Sequence, residues 1–487
     1  MDAVLETKPS RATTKPSRAT RGTPDAHGTP AAPAAHGTAA VLTRGSTWSA
    51  IWHMSWPLTL NMLALAAMNL FEGWIGGRLG ADAQAAMGIG GQLWFLFMTL
   101  ALSAGTTAII SRYCGAGDME MAARAGRQSL LCAVILSGIA TMVGLLTCRS
   151  ILQALGAPPA VADQGCTYLN MCLMAMVPYT VLWISNSIFR AIGDAFTPMA
   201  TMMLVFGAIM LCEFILCIGP TGIRLGVAGI GISWTLCSFI GIALNFARLK
   251  RSSLGAVCDL SAAIRDGLSL VWTKRFLTVG IPSCLQDLSL IGGSLGVFLV
   301  LSKMHAPLIG QAAWAAGWRL EETLTLMPMY GLNLAAAAIV GQNLGARQPG
   351  RAVSAGWQVM GIGAGVNLVV ALVMWLSAPH IAASLCATDA IAESCTEYLR
   401  IVCWTEPFFA CWRILSGAMQ GAGYTRVPMF ATMFAFAVLR VALAFFAATV
   451  FHGDTRFVWA SMAASTVVAG LIMIYYWRRG RWQEQRV

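Results

Sequence analysis

The sequence predicts an all-α polytopic membrane protein of twelve transmembrane helices, arranged as two parallel six-helix repeats, and three observations carry that prediction. Hydrophobic residues make up 57% of the 487 positions and charged residues 11%, with a mean hydropathy of +0.67. That leaves too few polar side chains to coat a soluble protein of this size. Apolar stretches long enough to cross a ~30 Å hydrocarbon layer as helices recur near 50–72, 86–110, 122–147, 165–189, 197–218, 227–247, 277–301, 311–340, 353–377, 398–420, 428–450 and 457–477. The third observation is that the chain matches itself at a displacement of 230 residues.

In that self-match Ala108, Ile109, Gly115, Ala116, Ala122, Ala125, Gly126 and Gln128 meet Ala338, Ile339, Gly345, Ala346, Ala352, Ala355, Gly356 and Gln358. Further on, Tyr168, Leu169, Gly193, Pro198 and Met199 meet Tyr398, Leu399, Gly423, Pro428 and Met429. Apolar bias aligns alanine with alanine, but it does not keep a loop glycine and a helix-starting proline in step. Duplicated membrane halves are a common way for secondary transporters to build a site between repeats.

Taken in order, the first stretch contains Pro57, which bends a helix and frees backbone carbonyls, and closes at Glu72. Glycines at 73, 76, 77, 80, 88, 90 and 91 blur the hairpin into the second stretch. The fourth holds Met171, Met174, Met176 and Trp183, and the fifth opens at Pro198 and contains Glu213. The sixth runs into Arg248, Lys250 and Arg251. In the second half, Asp287 follows Pro282, Trp314 precedes the run Arg319, Glu321, Glu322, and Glu406 precedes Pro407.

Charge sets the expected orientation. Lys8, Arg11, Lys15, Arg18, Arg21, Arg44, Arg112, Arg124, Arg127, Arg190, Arg248, Lys250, Arg251, Arg265, Lys274, Arg275, Arg347, Arg351, Arg426, Arg478, Arg479, Arg481 and Arg486 fall on one side, against Arg78, Arg149, Arg224, Lys303 and Arg456 on the other. The positive-inside rule places both termini in the cytoplasm of a multi-pass protein of the inner (plasma) membrane. The net charge of +11 is then mainly a topology signal, and no soluble basic domain with interleaved aromatics offers a nucleic-acid surface. The expected division is a tail at 1–45, an amino-terminal lobe at 46–250, a basic cytoplasmic bridge at 251–275 that meets lipid headgroups, a second lobe at 276–479 and a short tail at 480–487.

Residues 1–45 contain a tandem TKPSRAT and an HGTPA/HGTAA pair, with little to bury, so disorder is expected there. No apolar core of a cleaved secretory signal precedes the first span. The Arg, Ser and Thr content resembles a transit peptide, but a plain tail is the simpler reading. Fourteen cysteines without CxxC spacing read as free thiols. The scattered histidines support no metal site, and no cofactor or oligomer beyond a monomer is expected.

Intramembrane acids are the sharpest functional clue, since each costs about 2.5–3.5 kcal/mol at mid-helix even on the lenient insertion scale. The cation-coupling candidates are Glu72, Glu213, Asp287 and Glu406. Glu72 beside a bendable helix can take up a proton or cation and change the bend, or it can be a solvated edge residue. Glu213 is either a titrating group or a structural hydrogen-bonding partner. Asp287 and Glu406 each divide between a cavity acid and a helix-start charge favoured by the dipole. Glu321 and Glu322 read equally as a local Arg–Glu pair with Arg319. The repeat copies neither first-half acid: Ser302 stands opposite Glu72 and Leu443 opposite Glu213. Met171, Met174, Trp183 and Trp314 are candidates for a deformable cavity wall, although Met and Trp are also ordinary membrane-core residues.

Several segments in sequence order resemble the multidrug and toxic compound extrusion (MATE) family: GGRLGADAQAAMGIG, SAGTTAIISRYCGAGD, FRAIGDAFTP, AAGWRLEETLTLMPMYGLNLAAAAIVGQNLGA and MQGAGYTRVP. The likeness runs from about Trp52 to Arg478. It implies a V-shaped, two-lobe antiporter that opens a central cavity alternately to each side and expels a small molecule in exchange for H⁺ or Na⁺. It also implies that Glu72 and Glu213 occupy the family's amino-terminal cation site, where both positions are usually Asp, and where Na⁺ is possible. Ile209 stands where the family has Asn, which weakens a crowded Na⁺ site more than a proton site. Asp287 and Glu406 lie about a turn from the second-lobe acids of one branch.

The expected function is a non-enzymatic, proton-coupled exporter of drugs or metabolites, with amphiphilic organic cations the favoured cargo. The alternative is a lipid-linked oligosaccharide flippase of the same superfamily, whose cavity needs several cationic groups where acids dominate here. No GxxxxGK[ST] phosphate loop supports an ATP-driven pump.

Overall fold

The structure is a computed structural model that describes residues 42–98, 103–154, 158–219, 224–304, 306–450 and 454–485; the expected disorder at 1–45 falls almost entirely outside them. In lipid every backbone polar group must be satisfied within the segment, so an apolar chain of this kind resolves into helices. Twelve spans follow one another. They are α1 (Thr47–Leu79), α2 (Ala81–Met98 and Ser103–Ala116), α3 (Met119–Ala154), α4 (Pro159–Ile192), α5 (Phe196–Ile218), α6 (Ala228–Leu249), α7 (Leu270–Leu301), α8 (Pro307–Gly345), α9 (Pro349–Leu385), α10 (Asp389–Val402 and Glu406–Gly421), α11 (Arg426–Val450) and α12 (Thr455–Arg479). Ten of them are continuous, long and apolar enough to cross a membrane. The other two are α2 and α10, the latter interrupted by a 3-10 turn at Cys403–Thr405 just before Pro407.

One boundary differs from expectation. The glycines after Glu72 do not end the first helix, which continues to Leu79, so Glu72 lies inside it. Small residues are tolerated where membrane helices approach closely: a side-chain carbon on Gly76 would sit 3.0 Å from the sulfur of Met87 on α2, and one on Gly90 would collide with the ring of Tyr168 on α4.

The duplication is visible in packing. In the first half α4 packs against α2, α3 and α6; in the second its counterpart α10 packs against α8, α9 and α12. Loop backbones also repeat. The amides of Gly193 and Asp194 donate to the carbonyls of Arg190 and Phe189, and those of Gly423 and Tyr424 donate to Gln420 and Met419. Gly193 and Gly423 take left-handed φ values of 95° and 75°, which glycine accommodates without a Cβ clash.

The halves meet through reciprocal contacts: α1 with α8 and α7 with α2, with α2 crossing α8 at the centre. At the crossing, the Cβ position of Gly115 lies against the Gln342 backbone and that of Gly345 against the Arg112 backbone, the two contacts being related by the 230-residue shift. Ser111 meets Gly341, its own repeat equivalent, so this point sits on the pseudo-twofold axis. The crossing closes the basic end of the bundle, where Arg112 also donates to the carbonyls of Ala422 and Gln485.

Between α6 and α7, Gly255–Cys258 forms a 3-10 turn and Leu260–Asp266 a short helix capped by Asp259. This bridge docks on α3: Arg127 donates to Asp266 at 2.8 Å, and Gln128 donates to the Gly267 carbonyl at 2.6 Å and accepts from the Ser269 amide. After α12, Trp482 stacks on Trp477 at 4.0 Å and is buried, so the segment following Arg479 folds back onto the bundle.

Candidate functional site

Glu72 and Glu213 come together in the first half. Glu213 is the last α-helical residue of α5 before a π-helical segment, Phe214–Ile218, and π-turns shift the facing of a helix and recur at functional sites. Its side chain is wholly buried, and neither carboxyl oxygen has a hydrogen-bond donor from the protein. The carboxyl group beside it is that of Glu72, delivered by α1. The Trp234 indole on α6 donates to Glu72 Oε1 at 2.5 Å. Trp234 packs against Tyr179 at 4.9 Å and Trp94 at 5.3 Å, so an aromatic cluster borders the pair, in which Glu213 is buried and Glu72 half-buried. Tyr168, Cys172 and Cys217 complete the surroundings. Two carboxyls in contact, one of them wholly buried, cannot both carry charge without a large Coulomb cost. A proton shared between them would supply the donor that the Glu213 oxygens lack.

Glu406 and Asp287 do not form one site. Glu406 is buried at the restart of α10 after the 3-10 turn, accepts from Asn367 on α9 at 3.0 Å, and faces Glu321 on α8. Glu321 immediately precedes a second π-helical segment, Glu322–Leu326, and accepts a 2.5 Å hydrogen bond from the Tyr398 hydroxyl. Arg440, held by Ser465 at 2.8 Å and Thr466 at 2.9 Å, is the cation nearest this pair. The expected local pairing of Glu321 with Arg319 is therefore absent: Glu321 turns into the second half while Arg319 is exposed. A helix places adjacent residues about 100° apart, so Glu321 and Glu322 cannot share a facing. Glu322 and Arg319 instead line a small open cleft with Ala66, Asn69, Leu70, Thr323 and Met327, between α1 and α8.

Asp287 lies on α7, partly exposed, and pairs with Arg413 of α10 at 3.3 Å. The Arg413 guanidinium also sits 3.9 Å from the ring centroid of Tyr330 on α8. Pro57 lies inside α1, and two residues on the Thr59 backbone packs against Gly331 of α8, where a Cβ would come to 2.6 Å. The bendable helix that carries Glu72 is thus also part of the interface between the halves.

The proposed cavity wall does not assemble as one surface. Trp314 is packed in the core of the second half, with Phe298 at 5.9 Å and Trp318 at 6.0 Å. Met174 is exposed, Met171 packs near Gly231 of α6, and Trp183 stands beside Tyr179. Residues that sequence reasoning passed over are Trp234, Tyr179 and the Glu321–Tyr398 pair. An aromatic in an apolar run carries no mark of the carboxylate it will meet.

The sequence profile of the MatE family matches residues 57–218 and 282–446. The chain is 28% identical over 461 residues to a probable multidrug resistance protein NorM of Mesorhizobium japonicum, covering 88% of this chain and 93% of that one. It is 22% identical over 424 residues to a protein of the same name from Thermotoga maritima, covering 84% and 88%. Its fold is similar to that of a MOP superfamily transporter from Pyrococcus furiosus, with a TM-score of 0.85 at 22% identity over 93% of this chain and all of that one. A family profile spanning most of both halves, on a duplicated twelve-helix bundle with a buried carboxyl pair, establishes that this chain belongs to the MatE family of multi-pass membrane transporters.

Proposed function

We propose that the protein is a proton-driven antiporter that exports amphiphilic small molecules, organic cations foremost, across the inner membrane as a monomer with both termini cytoplasmic. The observation that carries this reading is the Glu72–Glu213 pair, bordered by aromatic rings and lacking any protein donor for the buried Glu213. When the pair holds a proton, its two carboxyls stay in contact and α1 keeps its place. Loss of that proton leaves two like charges in low dielectric, which repel and push α1 away from α5. Because α1 is hinged at Pro57 and seated on α8 through Thr59, that movement works on the interface between the halves.

The donor set favours H⁺ over Na⁺. A bare alkali cation takes several oxygens, whereas beyond the two carboxyls and the Tyr168 hydroxyl the groups around this pair are an indole N–H, thiols and aromatic rings. The Ile209 side chain, where the family has Asn, adds no oxygen. Energetically, one charge moving down ~100 mV yields about 2.3 kcal/mol and one pH unit about 1.4 kcal/mol. Together these sustain roughly a few-hundredfold gradient of a neutral substrate.

The test is transport of a panel of cationic dyes in inverted vesicles while ΔpH and Na⁺ gradients are imposed separately. A proton gradient alone is expected to drive the wild type, while E72Q and E213Q insert normally and do not transport. Wild-type rates in both variants remove the pair from the mechanism, and movement driven only by Na⁺ removes proton coupling.

A further inference from the structure

Arg190, at the end of α4, is a buried cation that the coupling site does not use. It is 1% exposed, and among the described residues no carboxylate lies within ion-pair distance of it. Its contacts are the Ser187 hydroxyl at 2.5 Å and the face of Trp183 at 5.6 Å, and its Nε has no acceptor. The acid nearest in sequence, Asp194, is occupied in accepting from the Thr197 amide at the start of α5. The carbonyls at the end of α4 offset part of the charge, but a buried guanidinium normally requires an oxyanion on its fork.

The surroundings sharpen this. Arg190 faces Tyr330 of α8, the same side chain that Arg413 covers from the other half. Arg413 is matched by Asp287, so around Tyr330 two guanidiniums meet one carboxylate. The fold itself does not demand the extra charge. The repeat equivalent of Arg190 is Gln420, which is neutral and satisfied by Gln286 at 3.1 Å, and the equivalent of Trp183 is Arg413. The residue following Arg190 is bonded across the interface, since Gln342 of α8 donates to the Ala191 carbonyl at 2.7 Å. Arg190 is thus covered by α8 in this structure.

We infer that Arg190, flanked by Tyr330 and Trp183, is a subsite for a carboxylate on the transported molecule. This rests on the exporter reading and adds a polarity to it. An apolar or aromatic body spans the space between the halves while its carboxylate takes the free fork of Arg190. Separation of α2 from α8 at the basic end admits the group, and reclosure buries it.

The experiment uses the full chain in proteoliposomes with rhodamine 110, which carries a free carboxylate, and rhodamine 123, its methyl ester. The wild type is expected to show a KM for rhodamine 110 lower by about tenfold, the usual effect of one charge-assisted hydrogen bond. R190Q is expected to lose that preference, with rhodamine 123 unaffected, and R190K to keep part of it. Equal handling of the two dyes by the wild type, or a preference that survives in R190Q, overturns the subsite. If neither dye moves, the exporter reading fails, and the subsite is judged by binding alone. Benzoate is then expected to raise the melting midpoint of the wild type more than benzamide does, and to lose that advantage in R190Q. Equal shifts by benzoate and benzamide, or an advantage retained in R190Q, overturn it.

Discussion

The indole N–H of Trp234 and the carboxyl of Glu72 meet at 2.5 Å across 162 positions of sequence. This bond supplies a protein donor to the Glu72–Glu213 pair and fixes which oxygen of Glu72 remains for Glu213. Replacing Trp234 by Phe keeps most of the aromatic enclosure and removes the donor. An unsatisfied buried acceptor costs about 1–3 kcal/mol, so W234F is expected to fold but to exchange substrate roughly tenfold more slowly. Dye transport at matched protein levels measures it, and an unchanged rate means that the bond is incidental.

The glycine crossing of α2 and α8 predicts a symmetric pair of variants. A methyl at Gly115 or Gly345 meets the partner backbone head-on, and overpacking of this kind costs about 1–3 kcal/mol. G115A and G345A are expected to weaken closure at the basic end by similar amounts. G138A and G361A, whose Cβ positions meet nothing within 4 Å, are the controls. Labelling of single cysteines placed beside the crossing reads the effect as faster modification in the first two variants only.

The Glu321–Glu406 pair predicts a second consequence of neutralising charge. Changing both residues to Gln preserves size and hydrogen-bonding capacity but leaves Arg440 with Ser465, Thr466 and the face of Phe436 and no acid. The double variant is expected to be less stable than either single change, because the lone buried guanidinium then lacks its acidic neighbour. Thermal melting of the four proteins gives the coupling directly. Additive shifts mean that the two carboxyls act independently of each other.

Outside the membrane, the hydrogen bond from Arg127 holds the Asp266 carboxyl below its ordinary value. A group depressed in this way contributes fully above its unfolded value, roughly pH 3.9, and its contribution is lost as pH falls through the folded one. Hydrogen-exchange protection of 255–267 is therefore expected to be flat from pH 7 to about pH 5 and to fall only in stronger acid. D266N is expected to show reduced protection already at pH 7.

Some features were legible in the chain itself. Apolar length specified the spans, and the 230-residue register predicted loops whose backbone hydrogen bonds do repeat, as at Gly193 and Gly423. The scarcity of acids made Glu72, Glu213, Asp287 and Glu406 conspicuous, because lipid penalises each one. Their partners were not legible. Glu406 pairs with Glu321 rather than sharing a site with Asp287, and Asp287 is taken by Arg413. Those choices depend on the rotation of each helix about its axis. Here that rotation is reset by π-helical segments beginning at Phe214 and Glu322 and by the 3-10 turn before Glu406. In a membrane helix that is apolar on every face, no amphipathic stripe records that rotation in the sequence. The sequence thus determined how many helices cross, in what repeat, and which charges they carry; packing between helices alone decided which charge meets which.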